Sequence, residues 1–175
     1  VAVAVTVGLA LAESPAGMAA PAGSPTTSAA QEAKKGSWPT LQGSFIQPPL
    51  IDGWSDGELA AELAMLKQAG INQVVLNWTS DTKTSVAEAI YPTSVPGHRQ
   101  ATKTDVLGRL LKAADKAKIE VFVGLQLNLD WFLHLLNDSA WLNTETDQGI
   151  ALASDVWRKY GSHRSFRGWY LPFEV

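Results

Sequence analysis

The regular alternation of strand-like and helix-like segments between Leu41 and Glu174 most constrains the fold. Short runs rich in β-branched and aromatic residues each precede a stretch in which apolar side chains recur at helical spacing. Strands that alternate with helices pair in parallel through right-handed crossovers. The sequence therefore predicts an α/β fold on a parallel sheet. Four strands are predicted: 41–47, 71–78, 119–127 and 167–174.

Capping residues set the limits of the predicted helices. Ser55 and Glu58 have the spacing of a capping box, which satisfies two free amides at a helix start, and Gly70 stands where a helix-ending glycine is expected. Thr104 or Asp105 is predicted to cap a second helix. The predicted buried stripes are Leu59, Leu63, Leu66 and Ala69 on the first helix, and Leu107, Leu110, Leu111 and Ala114 on the second.

The second half of the chain adds two further predicted helices. The second helix is expected to end near Lys118. A short third helix is predicted over 130–137, and a long fourth helix over 144–160. Residues 79–103 are predicted to be a long loop. Trp157 in the long helix and Trp169 in the fourth strand are predicted to pack in the core.

Two architectures are consistent with this order: an open doubly wound sheet and an eight-stranded barrel. A dinucleotide-binding sheet has a G-x-G-x-x-G sequence after its first strand, and the segment 48–58, PPLIDGWSDGE, has none. A complete (β/α)8 TIM barrel has eight strands in about 250 residues. We therefore predict an α/β chain that forms the N-terminal half of a TIM barrel, truncated at strand four.

The first residues indicate where the protein works. Residues 1–12, VAVAVTVGLALA, form an apolar run too short to span a bilayer and resemble the h-region and cleavage site of a secretory signal peptide whose start is missing. Residues 13–37 are rich in Ala, Pro, Gly and Ser and are predicted to be a flexible tether. The partial barrel is expected over 38–175. We expect a secreted or periplasmic protein with no membrane span in the mature chain.

Composition argues against several classes of function. The formal net charge is -3 with no clustered Lys and Arg, so nucleic-acid binding is not expected. There are no Cys, and the three His have no metal-ligand spacing, so neither a metal nor another cofactor is predicted. The serine of Gly43-Ser44 lacks the G-x-S-x-G context of a hydrolase nucleophile. The oligomeric state is not predicted.

The candidate site follows from where barrel enzymes build their active sites. These sites lie at the carboxyl ends of the strands, where amides bind hydroxyl groups and indole rings stack on sugars. Glu174 is predicted to end the fourth strand, as a catalytic residue or as the partner of a basic side chain across the barrel. The predicted substrate-binding residues are Gln47, Trp54, Asn77, Trp78, Gln126, Asn128 and Trp131.

An ordered set of short motifs resembles a bacterial family known only as domain of unknown function 4434. The motifs are GSFIQP from Gly43, LKQAGI from Leu66, VVLNW from Val74, YPTS from Tyr91, FVGL from Phe122 and FRGWYLPFE from Phe166. The resemblance covers about residues 41–175. It implies a barrel related to glycoside hydrolases.

The same resemblance implies a role for Glu174. In retaining barrel glycosidases the general acid/base is a Glu at the end of strand four, and the nucleophile is a carboxylate at the end of strand seven, which here would lie beyond Val175. Those enzymes usually have Asn before the acid/base, whereas this chain has Phe173.

Two functions are therefore expected. The first is a glycoside hydrolase that acts on a polysaccharide or oligosaccharide through a carboxylate pair, and this half alone is expected to be inactive. The alternative is a non-catalytic carbohydrate-binding barrel. In both, the partner is a carbohydrate.

Overall fold

The computed structural model describes residues 41–82, 86–134 and 137–173 of the 175-residue chain. The predicted leader, the tether and Glu174 lie outside these ranges. The described helices are α1 (Pro48–Ile51), α2 (Asp56–Gln68), α3 (Val106–Ala117), α4 (Trp131–His134) and α5 (Ser139–Tyr160). The described strands are β1 (Gly43–Ile46), β2 (Gln73–Leu76), β3 (Ser80–Asp81), β4 (Ala87–Ala89), β5 (His98–Gln100), β6 (Glu120–Gly124), β7 (Gln126–Leu127) and β8 (Phe166–Tyr170).

The main sheet is parallel and follows the order of the chain. Its strands lie in the order β1-β2-β6-β8, and every neighbouring pair is parallel. Each crossover contains a helix, as the alternating sequence pattern predicts. The predicted α/β fold with a parallel sheet is confirmed.

Strong curvature makes this sheet part of a barrel. Strands β1 and β8 are three positions apart, which is about 14 Å in a flat sheet. The rings of Phe45 on β1 and Tyr170 on β8 nevertheless lie with their centroids 5.6 Å apart. Gly168 permits close packing on this inner face, because a Cβ there would be 3.2 Å from the ring of Phe122. The four strands curl as they do in a partial TIM barrel.

The outer face of the sheet carries the core. Alternate residues of the strands, such as Val74, Leu76, Val121 and Val123, are fully buried beneath the helices. The predicted capping box of α2 is present, with Ser55 and Glu58 each accepting the other's backbone N–H. The stripe predicted for α3 is fully buried at all four positions: Leu107, Leu110, Leu111 and Ala114. Ala69 of the predicted α2 stripe is exposed.

The predicted loop 79–103 contributes three of the four strands of a second sheet, and β7 contributes the fourth. Its strands lie in the order β5-β4-β3-β7, with β3 antiparallel to β4 and parallel to β7. Only Leu125 separates β6 from β7, so the predicted third strand serves both sheets. The prediction of an unstructured loop was wrong, because strands of two or three residues are too short to show an alternating pattern.

Three predicted limits differ from the structure. The fourth strand ends at Tyr170 rather than at Glu174, since Pro172 has no backbone N–H to donate to a ladder. Helix α5 begins at Ser139, five residues before the predicted start, because Asp138 caps it by accepting from the Trp141 amide. Helix α4 begins at Trp131, one residue after the predicted start. Within the described residues no helix combines the length and apolar character needed to cross a membrane.

Trp157 and Trp169 are not core residues. Their exposed fractions are 57% and 38%. Each ring packs edge-on against Phe166, with centroids 5.5 and 4.9 Å away. Trp157 lies on the outer side of α5 and Trp169 on the edge strand β8, so both remain open to solvent.

Candidate functional site

A cavity of about 200 Å³ lies at the carboxyl ends of β2, β6 and β8. It is where the barrel architecture places an active site, because the loops after these strands form its walls. No charged side chain is among its described lining residues. These are Asn77, Trp78, Leu127, Asn128, Leu129, Trp131, Phe132, Tyr170 and Pro172.

The cavity brings together four of the seven predicted substrate-binding residues: Asn77, Trp78, Asn128 and Trp131. Asn77 and Trp78 come directly after β2, and Asn128 and Trp131 follow β6 and β7. The side-chain oxygen of Asn77 is buried and has no hydrogen-bond partner. A buried acceptor of this kind costs free energy unless a donor reaches it. Among these four residues, Asn77 is the one with an unsatisfied buried side-chain acceptor.

Close packing of two strand ends fixes Asn77. Its backbone N–H donates to Ile46 O of β1 over 3.0 Å. A Cβ on Gly124 would lie 2.0 Å from the Asn77 carbonyl oxygen, so only glycine allows β6 to approach this closely.

Asn128 is buried and bonded at both ends of its amide. Its Nδ2 donates to Glu145 Oε1 over 3.0 Å, and its Oδ1 accepts from the Asp130 amide over 3.0 Å. The Trp131 amide donates to the Asn128 carbonyl oxygen over 3.1 Å. Asn128 thus organises the turn that begins α4.

Gln126 lies beside this cavity but faces a second one. It is buried, and its Nε2 donates to the Glu145 carbonyl oxygen. The second cavity, of about 260 Å³, is mostly apolar and is lined by Gln126, Glu145, Leu171 and Phe173 among others. Gln126 therefore joins the end of the strand to α5.

Aromatic rings build one wall of the first cavity. Trp131 is buried and packs against Phe173 and Trp141, with ring centroids 4.9 and 6.4 Å away. The His134 ring stacks on Trp141 at 4.8 Å, and its Nδ1 lies 2.9 Å from Asp138 Oδ2. The amide of Trp141 and the His134 ring together lower the pKa of Asp138. Trp141 therefore supports the Trp131 ring, and His134 and Asp138 in turn hold Trp141.

The two remaining predicted residues lie elsewhere. Gln47 is exposed at the end of β1, where it precedes α1 and its carbonyl accepts from the Leu50 amide. Trp54 packs against the hydrophobic core, and its carbonyl accepts from Arg109. Neither lines the cavity.

Glu174 lies outside the described residues, and the chain before it leads along the cavity. Tyr170 and Pro172 both line the cavity, and Phe173 packs on its aromatic wall. Among the described residues no group of three His, Cys, Asp or Glu side chains could hold a metal ion.

Sequence reasoning missed two features of this region. Glu145 is buried with an exposed fraction of 5%, although an acidic residue in a helix is usually solvated. Tyr170 and Phe132 also line the cavity. Position at a strand end could have identified Tyr170, whereas no sequence signal identifies Glu145.

Comparison with known proteins adds a family and a fold. The family model described as domain of unknown function (DUF4434) matches residues 41–175. No curated protein matches the sequence.

Among the solved structures that are similar, a candidate α-L-fucosidase from Bacteroides thetaiotaomicron shares the fold. Its TM-score is 0.61 at 22% identity, over 76% of this chain and 41% of that one. An α-L-fucosidase GH29 from the same bacterium has a TM-score of 0.45 at 17% identity, over 71% of this chain and 30% of that one. A β-galactosidase from Marinomonas ef1 has a TM-score of 0.46 at 10% identity, over 75% of this chain and 21% of that one. The chain thus spans less than half the length of these proteins.

Proposed function

Since the chain belongs to the family of the domain of unknown function (DUF4434), whose name states no activity, we propose its function from the site: it supplies part of the active site of a glycoside hydrolase. The substrate is an oligosaccharide or polysaccharide. The catalytic groups are a carboxylate pair, of which Glu174 is one member. The second carboxylate would come from a later strand of the barrel.

The cavity at the strand ends carries this proposal. It combines the rings of Trp78 and Trp131 with the amide of Asn77, beside Asn128, whose own amide is held by Glu145 and the Asp130 backbone. Aromatic faces stack on the apolar faces of sugar rings, and amides bind hydroxyl groups. An uncharged lining of rings and amides suits a neutral carbohydrate better than a phosphorylated or acidic ligand.

The position of Glu174 in the chain supports a catalytic role. It follows Pro172, which lines the cavity, by two residues. In this reaction one carboxylic acid protonates the glycosidic oxygen while the other carboxylate attacks the anomeric carbon or activates water.

The likeness in fold to a candidate α-L-fucosidase gives the first substrates to test. We also propose that the protein acts outside the cytoplasm, from the apolar run 1–12 followed by the Ala- and Pro-rich segment 13–37.

A hydrolysis assay with matched variants tests the proposal. The product of the whole reading frame that contains this chain would be assayed against a panel of 4-nitrophenyl glycosides, beginning with α-L-fucoside, and against oligosaccharides. Glu174→Gln is expected to lower kcat by about 10²- to 10⁴-fold. Glu120→Gln is the control, because Glu120 lies at the amino end of β6.

Three outcomes would count against the proposal. Unchanged kcat in Glu174→Gln would remove Glu174 from the mechanism. Sugar binding without hydrolysis of any glycoside would favour a carbohydrate-binding barrel. Neither binding nor hydrolysis would contradict both functions.

A further inference from the structure

We propose that Glu145 is a positioning residue, which holds Asn128 and through it sets the place of Trp131 in the cavity wall. The effect on substrate rests on the proposed function, but the effect on Trp131 does not. Glu145 lies on α5, outside the strand ends that form the cavity.

Burial of Glu145 requires an explanation. Its exposed fraction is 5%, and none of the described basic side chains forms an ion pair with it. Burying a carboxylate is costly unless its oxygens are hydrogen-bonded. One oxygen, Oε1, accepts from Asn128 Nδ2 over 3.0 Å, whereas Oε2 is buried without a partner. An apolar side chain would stabilise the fold equally well. The specific contribution of the carboxylate is therefore its hydrogen bond to Asn128.

A continuous set of hydrogen bonds leads from Glu145 to the cavity wall. With its Nδ2 held by Glu145, Asn128 turns its Oδ1 toward the Asp130 amide, 3.0 Å away. The Asn128 carbonyl oxygen then accepts from the Trp131 amide over 3.1 Å. These two bonds shape the turn from which the Trp131 side chain enters the wall.

The backbone of Glu145 makes a second connection. Its carbonyl oxygen accepts from Gln126 Nε2. Gln126 belongs to β7, which follows β6 directly. The same turn of α5 therefore holds the side chains of both Gln126 and Asn128. A substitution of the Glu145 side chain removes the bond to Asn128 and leaves the backbone bond to Gln126 intact.

The role predicts different results for three substitutions. Glu145→Gln keeps an oxygen that can accept from Asn128. Glu145→Met fills a similar volume but offers no such acceptor. Glu145→Asp keeps the charge and withdraws the carboxylate by about 1.5 Å, which breaks the bond with little change in the core. Asp147→Asn, at an exposed position on the same helix, is the control.

Nuclear magnetic resonance of the full chain provides a readout independent of activity. Glu145→Met and Glu145→Asp are expected to shift the Asn128 side-chain amide and the Trp131 indole N–H signals, while those of Trp157 and Trp169 stay in place. Glu145→Gln is expected to resemble the wild type. If Glu145→Met does not fold, Glu145→Asp supplies the same comparison.

Kinetics of the whole protein separate positioning from catalysis. Loss of the correctly placed ring is expected to raise KM about tenfold with kcat nearly unchanged, and Glu145→Gln is expected to stay within about twofold on both. Unmoved Trp131 and Asn128 signals in both Glu145→Met and Glu145→Asp would overturn the inference. A large loss of kcat in Glu145→Gln with Trp131 in place would also overturn it, since it would make Glu145 a catalytic acid or base. An inactive wild type would refute the proposed function and leave the signal test valid.

Discussion

The hydroxyl of Tyr160, in the last turn of α5, donates a 2.8 Å hydrogen bond to Oδ2 of Asp105, the N-cap of α3. The other carboxylate oxygen of Asp105 accepts from the Gly108 amide over 2.9 Å. Burial and the neighbouring Asp105 carboxylate together raise the pKa of Tyr160. One carboxylate thus caps α3 and joins it to the end of α5.

Removing the Tyr160 hydroxyl tests this connection. Tyr160→Phe is expected to lower the free energy of unfolding by about 1.5 kcal/mol, because a hydrogen bond to a charged acceptor is lost. Asp105→Ala is expected to cost more, about 2–3 kcal/mol, since the cap is lost as well. Urea unfolding measures both. Equal losses in the two variants would show that the Asp105 cap contributes nothing beyond the bond to Tyr160.

Asp155 is expected to make stability depend on acid pH. Burial acts to raise its pKa, but the Ser94 amide and Lys159 more than offset this, and the net pKa is lowered from 3.8. The ionised form therefore stabilises the folded chain above that value. This contribution is lost as the pH falls through 3.8 toward the lower folded pKa.

The corresponding measurement is the urea midpoint at about pH 6, 4 and 3. Asp155→Asn is expected to be less stable near neutral pH by about 1.5–3 kcal/mol and to lose less on acidification. The loss reflects removal of the charge that strengthens the bonds accepted by Asp155 Oδ2 from Thr93 Oγ1 and the Ser94 amide, at 3.2 and 3.1 Å, and that pairs with Arg158. Parallel pH profiles for the variant and the wild type would exclude Asp155 as the titrating group.

Gly124 is expected to tolerate no side chain. A Cβ at this position would overlap the Asn77 carbonyl oxygen at 2.0 Å and the Leu76 carbonyl oxygen at 2.5 Å, and backbone atoms cannot move aside as side chains do. Gly124→Ala is expected to cost about 3 kcal/mol or more. Gly53→Ala is the control, because nothing lies within 4 Å of its Cβ position, and it is expected to change stability by less than about 0.5 kcal/mol. Similar stabilities for the two variants would refute the close approach at Asn77.

The features that depend only on near neighbours in the chain were predicted correctly. The capping box at Ser55, the Asp105 cap and the Leu107 stripe depend on neighbours within one or two turns. The prediction began α5 at Thr144, a residue type that is common at helix N-caps. In the structure Thr144 and Thr146 instead donate to carbonyl oxygens one turn back, at Ala140 and Leu142.

The site was only partly predictable because it depends on long-range contacts. Strand order places Asn77 and Asn128 at one cavity, as residues at strand ends should be. The partner of Asn128 is Glu145, from the next helix, and nothing in the sequence around Glu145 marks it as buried. Similarly, Trp54 follows a strand end yet packs against the core and not in the cavity, because its carbonyl is held by Arg109 of α3.

The cavity tryptophans are expected to contribute to sugar binding. Trp78→Ala is expected to weaken binding of a cognate sugar about tenfold, through loss of the stacking surface. Trp157→Ala is the control, since Trp157 is solvent-exposed on α5 and does not line the cavity. Isothermal titration calorimetry gives the dissociation constants. Equal weakening in both variants, or none in Trp78→Ala, would place the sugar elsewhere.

The most direct test of the carbohydrate site is a sugar titration followed by the tryptophan indole and asparagine side-chain signals in nuclear magnetic resonance. The chain has 7 Trp, so cavity and non-cavity rings report separately. We predict that a neutral sugar from a panel of mono- and oligosaccharides shifts the signals of Trp78, Trp131 and Asn77 while leaving those of Trp157 and Trp169 in place. Saturable shifts confined to Trp157 and Trp169, or no shift with any sugar of a broad panel, would contradict a carbohydrate site at these strand ends.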